Sequence, residues 1–291
     1  MQGRTMSEET CGFVFAVTGE KYTALARRAA RSLRHVHPEA KVDLFTDIKL
    51  DDTVFSEIHM LSDSWFRPKM EALQKSRFDR TIYLDADIMV IAPLEPVFEV
   101  LDRFDVAACH NRMQNNSFVL DNHTRPLPPA FSVINGGLLA LRRSEPTMAF
   151  VRDWEQAVRE SNAKKDQPAL RELLYDSDLK LCILPPGYNL MTFHELKTWW
   201  GMFGAPRVLH APFLHLRREG PGDPETPFAM EEMVGLIRAR RLRALIHADV
   251  TLTPDVDDGS RNMYGSLNVA PIRWLRNRVK PIYRRLRYRY R

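Results

Sequence analysis

Three pairs of aspartates in this chain stand at i and i+2: Asp85/Asp87, Asp176/Asp178 and Asp255/Asp257. Two carboxylates so spaced just past a strand can approach one divalent ion where the backbone turns. Oxygen ligands of this kind suit Mg²⁺ or Mn²⁺. An ion held there bridges diphosphate oxygens and neutralises charge on a departing group. Only Asp85/Asp87 follows an apolar run, Arg80-Thr81-Ile82-Tyr83-Leu84. The other two pairs sit in polar stretches, where aspartate is an ordinary turn residue. The three cysteines, Cys11, Cys109 and Cys182, are far apart and odd in number. They give no metal-finger spacing, and the expectation is a reduced, cytosolic setting.

The elements that must position Asp85 and Asp87 are legible in the hydrophobic pattern. Gly12–Thr18 is short, apolar and rich in β-formers, which reads as a buried strand. A helix is predicted from Lys21 to His35, with Leu25, Ala29, Ser32 and Leu33 inward and Arg27, Arg28, Arg31 and Arg34 largely on the other face. Lys41–Thr46 is the next strand, and the three elements make a βαβ unit. Further strands are predicted at Glu57–Leu61, Arg80–Leu84, Val106–Cys109, Gly137–Leu141 and Lys180–Leu184. Helices are predicted at Pro68–Ser76, Glu145–Ser161, Gln167–Tyr175 and Met230–Ile246. Strands alternating with helices imply an α/β fold. Its ligands gather beyond the carboxyl ends of the strands, which puts Thr18 to Tyr22, Asp47 and Asp85-Ala86-Asp87 in one neighbourhood.

With 291 residues and 44% hydrophobic content the chain can bury a full core. It has no apolar run long enough to span a bilayer, and residues 1–10 carry no basic start followed by an apolar stretch, so no leader is expected. The formal charge of +5 is uneven. Nine basic residues and no acid lie between Arg273 and Arg291, which leaves 33 basic against 37 acidic residues in the remainder. A catalytic domain is therefore expected over 1–248, followed by a polar linker and basic tail over 249–291. The tail interleaves its arginines with Trp274, Tyr283, Tyr288 and Tyr290, a composition suited to an anionic membrane surface. The acidic body gives no support to nucleic-acid binding.

Tyr83-Leu84-Asp85-Ala86-Asp87-Ile88 resembles the Asp-x-Asp segment of GT-A-fold nucleotide-sugar glycosyltransferases. Three further pieces follow in the order such enzymes show. They are Phe131-Ser132-Val133-Ile134-Asn135-Gly136-Gly137-Leu138-Leu139, Asp166-Gln167-Pro168-Ala169-Leu170 and Val208-Leu209-His210. The set, covering about 13–215, is most similar to family-8-like members, which retain anomeric configuration.

The resemblance implies a Rossmann-like fold with a mixed, mainly parallel central sheet flanked by helices. It implies a nucleotide-diphospho-sugar donor, such as a UDP-sugar, and a glycan or lipid-linked acceptor. Asp85, Asp87 and His210 are implied as ligands of Mn²⁺ or Mg²⁺, with His215 a rival to His210. Asp166 and Gln167 are implied at the reacting carbon, although Asp166 also suits a helix N-cap. Thr18, Tyr22, Asp47, Lys69, Ala86, Asn135 and Gly136 are implied around the donor. The family's phosphate-binding Gly and Lys-Pro-Trp after the late histidine are missing, and Arg217 or Arg218 is the available replacement. Asn189 falls near the same region, and Trp199, Trp200 and Phe203 are either sugar-stacking or core. Location at the inner face of the membrane is expected. Two other readings compete: a haloacid-dehalogenase-like phosphatase with Asp85 as nucleophile, and a non-catalytic sugar-nucleotide-binding protein.

Overall fold

The computed structural model describes residues 10–63, 65–115, 123–161 and 165–252. Among the described residues there are two compact units, one running to Thr192 and including Pro206–Met233, the other Phe193–Ala205 with the segment from Val234 to 252. The first holds a seven-stranded sheet in the order β3-β2-β1-β4-β7-β6-β8. Its strands are β1 (Cys11–Val17), β2 (Val42–Thr46), β3 (Glu57–Met60), β4 (Arg80–Leu84), β6 (Val106–His110), β7 (Ile134–Arg142) and β8 (Leu181–Ile183). A separate two-stranded ribbon pairs β5 (Ile88–Val90) with β9 (Val208–His210).

β1 pairs in parallel with both β2 and β4, β2 with β3, and β6 with β8. β7 alone runs against its two neighbours, β4 and β6. The sheet is thus mixed and mainly parallel, as the sequence implied. The chain leaves β1 to one side for β2 and β3, then returns to its other side for β4. That reversal opens a crevice between the carboxyl ends of β1 and β4, the usual ligand position in such sheets.

The sheet is covered on both faces. Helix α1 (Glu20–Val36) buries Leu25, Ala26, Ala29, Ala30 and Leu33, and its Ser32 Oγ accepts the Val90 N–H at 3.1 Å. On the other face α2 (Lys69–Lys75), α4 (Glu145–Glu160) and α5 (Gln167–Asp176) pack on Tyr83, Leu139 and Leu141 around Phe150, Trp154 and Leu170. Trp154 is fully buried, and its indole N–H donates to the Asp166 carbonyl at 3.0 Å. The core thereby fixes the start of α5. The short α3 (Glu95–Val100) follows the ribbon strand β5.

The arginine face of α1, opposite its apolar face as expected, is not left to solvent. It is roofed by the segment leading to α6 (Met230–Val234). Arg28 is only 5% exposed. It donates to the carbonyls of Pro221, Thr226 and Pro227 and to both oxygens of Glu232. Arg27 and Arg31 converge on Asp52 and Glu225. A charged stripe reads as solvated in sequence because two of the acids that pair with it, Glu225 and Glu232, lie about 200 residues away.

The predicted helix from Met230 to Ile246 is two helices. Gly235 at φ 79° ends α6 and opens α7 (Leu236–Ala248), a conformation that glycine adopts without a Cβ clash. In the second unit Trp199 is buried and donates to the Gly204 carbonyl at 2.8 Å, whereas Trp200 and Phe203 are exposed. Among the described residues no helix is long and apolar enough to cross a membrane. The tail from 253 lies outside the described residues.

Candidate active site

A cavity of 380 Å³ lies at the crevice, within the range of small-ligand sites. Thr18 reaches it from the β1–α1 turn and Tyr22 from the first turn of α1. Lys69 comes from the start of α2, and Asp85, Ala86 and Asp87 from the turn after β4. Phe66, Arg67 and His215 complete much of its wall. Asp47, at the end of β2, accepts the Gly19 N–H at 2.7 Å and so shapes the β1–α1 turn.

Asp85 continues the β4 ladder, its N–H donating to the Gly137 carbonyl at 2.8 Å. Its Oδ1 accepts from the Tyr83 hydroxyl at 2.8 Å and lies 3.4 Å from Lys69 Nζ. Burial, then Asp85, pushes the Tyr83 hydroxyl well above its ordinary range, so it stays a donor. Lys69 Nζ also lies 3.2 Å from Asp166 Oδ2 and donates to the Gly136 carbonyl at 3.1 Å. Burial works to strip the proton from this amine, but Asp166 and then Asp85 outweigh it and hold the ammonium above its usual range. Burial likewise works to raise Asp166, and Lys69 followed by Arg67 holds it below the ordinary carboxylate range.

Asp166 stands at the N-cap of α5 but makes no side-chain cap hydrogen bond. Its carboxylate is turned to Lys69 instead. Gln167 follows it, with its Oε1 buried and accepting no hydrogen bond among the described residues.

His210 reaches the site through the ribbon. Ile88 pairs with His210 across β5 and β9, and the Ala211 N–H donates to the Asp87 carbonyl at 2.9 Å. Asp87 is 2% exposed and lies between two imidazoles. His210 Nε2 is 3.3 Å from its Oδ1, and His215 Nε2 is 2.9 Å from its Oδ2. Burial opposes charge on Asp87, but His210 and then His215 hold the carboxyl below its ordinary range. The same pairing with Asp87 holds the His210 ring above its usual range against the effect of burial.

One ligand atom from each of Asp85, Asp87 and His210 lies within 4.8 Å of the others. Asp87 Oδ1 is buried and accepts no hydrogen bond among the described residues. An oxygen so placed, facing a ring nitrogen and a second carboxylate, fits a divalent cation. A second cluster, Asp43, Glu57 and His59, has comparable spacing. There the cation is already supplied, because Arg77 makes two hydrogen bonds to Asp43 and pairs with Glu57. Asp176, of the second Asp-x-Asp, is exposed and pairs with Arg125; Asp255 and Asp257 lie outside the described residues.

Other sequence candidates sit differently. The Asn135 amide is 1% exposed and bonds Gly137, Asn189 and Met191. Arg217 is engaged with Glu232. Arg67 and Phe66 had no signal beyond a basic residue ahead of a helix. His215 was visible only as an alternative to His210, and the structure brings both to Asp87. Its ring lies 5.0 Å from that of Tyr22, and Lys21 Nζ donates to its carbonyl at 2.5 Å.

The galactosyltransferase LgtC, solved in complex with donor and acceptor sugar analogues, shares this fold. It aligns with a TM-score of 0.53 and 16% identity, over 82% of this chain and 96% of LgtC. The glycosyltransferase GlyE of Streptococcus pneumoniae TIGR4 aligns at 0.51 and 16%, over 80% of this chain and 60% of GlyE. No curated protein sequence matches. A family model does match residues 23–220, more than half of the chain, and it includes both aspartates and both histidines. The chain belongs to the nucleotide-diphospho-sugar transferase family and is a glycosyltransferase of GT-A fold.

Proposed function

We propose that the chain is a metal-dependent transferase that moves a sugar from a UDP-sugar to a glycan or lipid-linked acceptor, with retention. The observation that carries this reading is the meeting of Asp85, Asp87 and His210 at the edge of a cavity at the strand-order reversal. A Mn²⁺ or Mg²⁺ ion bound by these three supplies Lewis-acid stabilisation of the leaving diphosphate.

The remaining work falls to the chain's own groups. Thr18 and Tyr22 line the donor side of the cavity, with Asp47 holding the turn that carries Thr18. Lys69 keeps its charge in a buried position, so it can meet a diphosphate oxygen and still neutralise Asp166. Asp166 and Gln167 are assigned to the reacting sugar. An amide is a poor nucleophile, which favours attack by the acceptor hydroxyl on the face the diphosphate leaves, with a diphosphate oxygen taking the proton. His215 holds Asp87 Oδ2, leaving Oδ1 for the ion. The family assignment does not favour the phosphatase or the non-catalytic reading.

The test is a panel of nucleotide sugars with Mn²⁺ or EDTA, read by donor hydrolysis and by thermal shift. UDP-sugars with Mn²⁺ are expected to stabilise the protein and turn over. Failure of every donor to do either in a folded sample refutes the metal-dependent reading. The tail is assigned to an anionic membrane surface at the cytoplasmic face, since each basic residue there contributes about 1 kcal/mol. Vesicle flotation of the full chain against one ending at Pro271 decides it, and equal binding by both removes that role.

A further inference from the structure

We propose that Asn189 and the Asn135-Gly136-Gly137 segment of β7 form a positioning device for His210. The device sets which ring nitrogen faces Asp87 and where the ring stands. It rests on the reading of Asp85, Asp87 and His210 as metal ligands.

The orientation is fixed by a chain of hydrogen bonds that begins at the backbone. The Gly137 N–H can only donate, and it meets Asn135 Oδ1 at 2.9 Å. This fixes the Asn135 amide, whose nitrogen goes to Met191 Sδ at 3.1 Å. Asn189 meets the same Oδ1 at 2.7 Å, so it must present its Nδ2 there. Its own oxygen is then turned to His210 Nδ1, 2.8 Å away. An amide oxygen only accepts, so Nδ1 carries the hydrogen. In the neutral ring Nε2 is left bare, and Nε2 is the nitrogen 3.3 Å from Asp87 Oδ1. Amide and imidazole orientations are usually open to choice. Here a peptide N–H at the start of the chain removes the choice for each group that follows.

The backbone irregularity of β7 makes this possible. Opposite β6 the register passes from Ala108 with Leu139 to Cys109 with Asn135. Residues 136–138 therefore have no partner in β6, and the Gly137 N–H is released from the ladder to serve Asn135. Bulges of this kind commonly re-aim groups beside active sites. The glycines supply the space. A Cβ on Gly137 would stand 2.3 Å from His210 Cε1, and one on Gly136 would stand 3.1 Å from Lys69 Nζ. Metal-binding histidines generally need a partner on the second nitrogen, and loss of that partner costs about 10- to 100-fold in metal affinity.

The experiment uses full-length protein labelled with ¹⁵N-histidine, free of metal and at a pH where the ring is neutral. Long-range ¹H–¹⁵N spectra, with His210 identified by its loss in His210→Gln, are expected to show the Nδ1–H tautomer. Asn189→Leu should move His210 to the Nε2–H form. It should also weaken Mn²⁺ binding, measured by calorimetry with and without UDP, by about 10- to 100-fold. Asn189→Asp keeps an acceptor for Nδ1–H and should retain the tautomer, which a merely structural role does not require. A wild type in the Nε2–H form overturns the proposal. So does a folded Asn189→Leu that keeps both tautomer and affinity. If Asn189→Leu does not fold, the wild-type and Asn189→Asp spectra decide. A wild type with the Nδ1–H tautomer that takes up no Mn²⁺ under either condition refutes the metal reading itself, and the role of the device with it.

Discussion

If Asp85, Asp87 and His210 are metal ligands as proposed, adding one methyl group at Gly137 should empty the site while leaving the fold in place. The Cβ of alanine there would lie 2.3 Å from His210 Cε1 and 2.6 Å from Nδ1. Ordinary carbon–carbon contact is about 3.5 Å, so the ring must retreat by about 1.2 Å. Neither backbone can absorb this. Gly137 is held to the end of β4, its carbonyl accepting the Asp85 N–H at 2.8 Å, and the His210 N–H donates to the Leu190 carbonyl at 3.0 Å. The imidazole must therefore swing away from Asp87. Metal–ligand bonds tolerate displacements of only about 0.2 Å, so His210 leaves the ligand set. The loss of Mn²⁺ affinity should exceed the roughly 10- to 100-fold typical of a disturbed outer partner. Overpacking itself costs about 1–3 kcal/mol, a fraction of the ~5–15 kcal/mol of a stable domain. Gly136→Ala is the comparison: its Cβ meets the flexible tip of Lys69 at 3.1 Å and Leu170 at ordinary contact, not His210, so it should lower Mn²⁺ affinity far less than Gly137→Ala. Calorimetric Mn²⁺ titration with parallel thermal melts makes the measurement. A Gly137→Ala protein that melts cooperatively and binds Mn²⁺ as wild type refutes the reasoning.

Three further outcomes are expected. His215→Ala should weaken Mn²⁺ binding by about tenfold as an outer partner of Asp87, whereas His210→Ala and Asp87→Ala should abolish it; equal losses in titration would make His215 a direct ligand. Asp52→Asn should cost about 1–3 kcal/mol in urea unfolding, the range for losing one partner of a buried hydrogen bond, because Glu225 still pairs with both arginines. Burial works to raise the Asp52 carboxyl, but hydrogen bonds from Arg31 and then Arg27 hold it below 3.8. Its contribution is therefore complete above that pH and lost as pH falls through the folded value, so the variant should show a flatter acid limb of stability. Burial pushes the Cys109 thiol up to about 12, and Cys109 should resist alkylation at pH 8 until the protein is unfolded; early labelling, read by mass spectrometry, would contradict its burial.

Much of the site was legible because its carriers are long elements with clear periodicity. β1, β4 and α1 could be placed from their apolar patterns, and their ends put Thr18, Tyr22 and Asp85–Asp87 together. Four features were not legible. β5 is three residues long and was not separable as a strand, so its ribbon with β9 left no trace in the pattern. The arginine face of α1 reads as solvent-facing because charge alone does not reveal distant acids. Gly235 in the middle of a periodic run is tolerated in many helices, and only its positive φ shows the break. Asn135 stood out as a motif residue, but its direction depends on a bulge that no local spacing encodes.

The ribbon has a temporal consequence. The two aspartates are synthesised early, and β4 can take its place once β1 is present. The imidazole arrives only when Val208–His210 has paired with Ile88–Val90 across a long sequence separation. Contacts of such separation form late, since loop closure must precede them. During synthesis or refolding the chain therefore passes through an interval in which the sheet exists but ion capture does not. On the proposed reading of Asp85, Asp87 and His210 as ligands, metal uptake would report completion of the fold, and a divalent ion would stabilise the finished protein without templating its earlier stages.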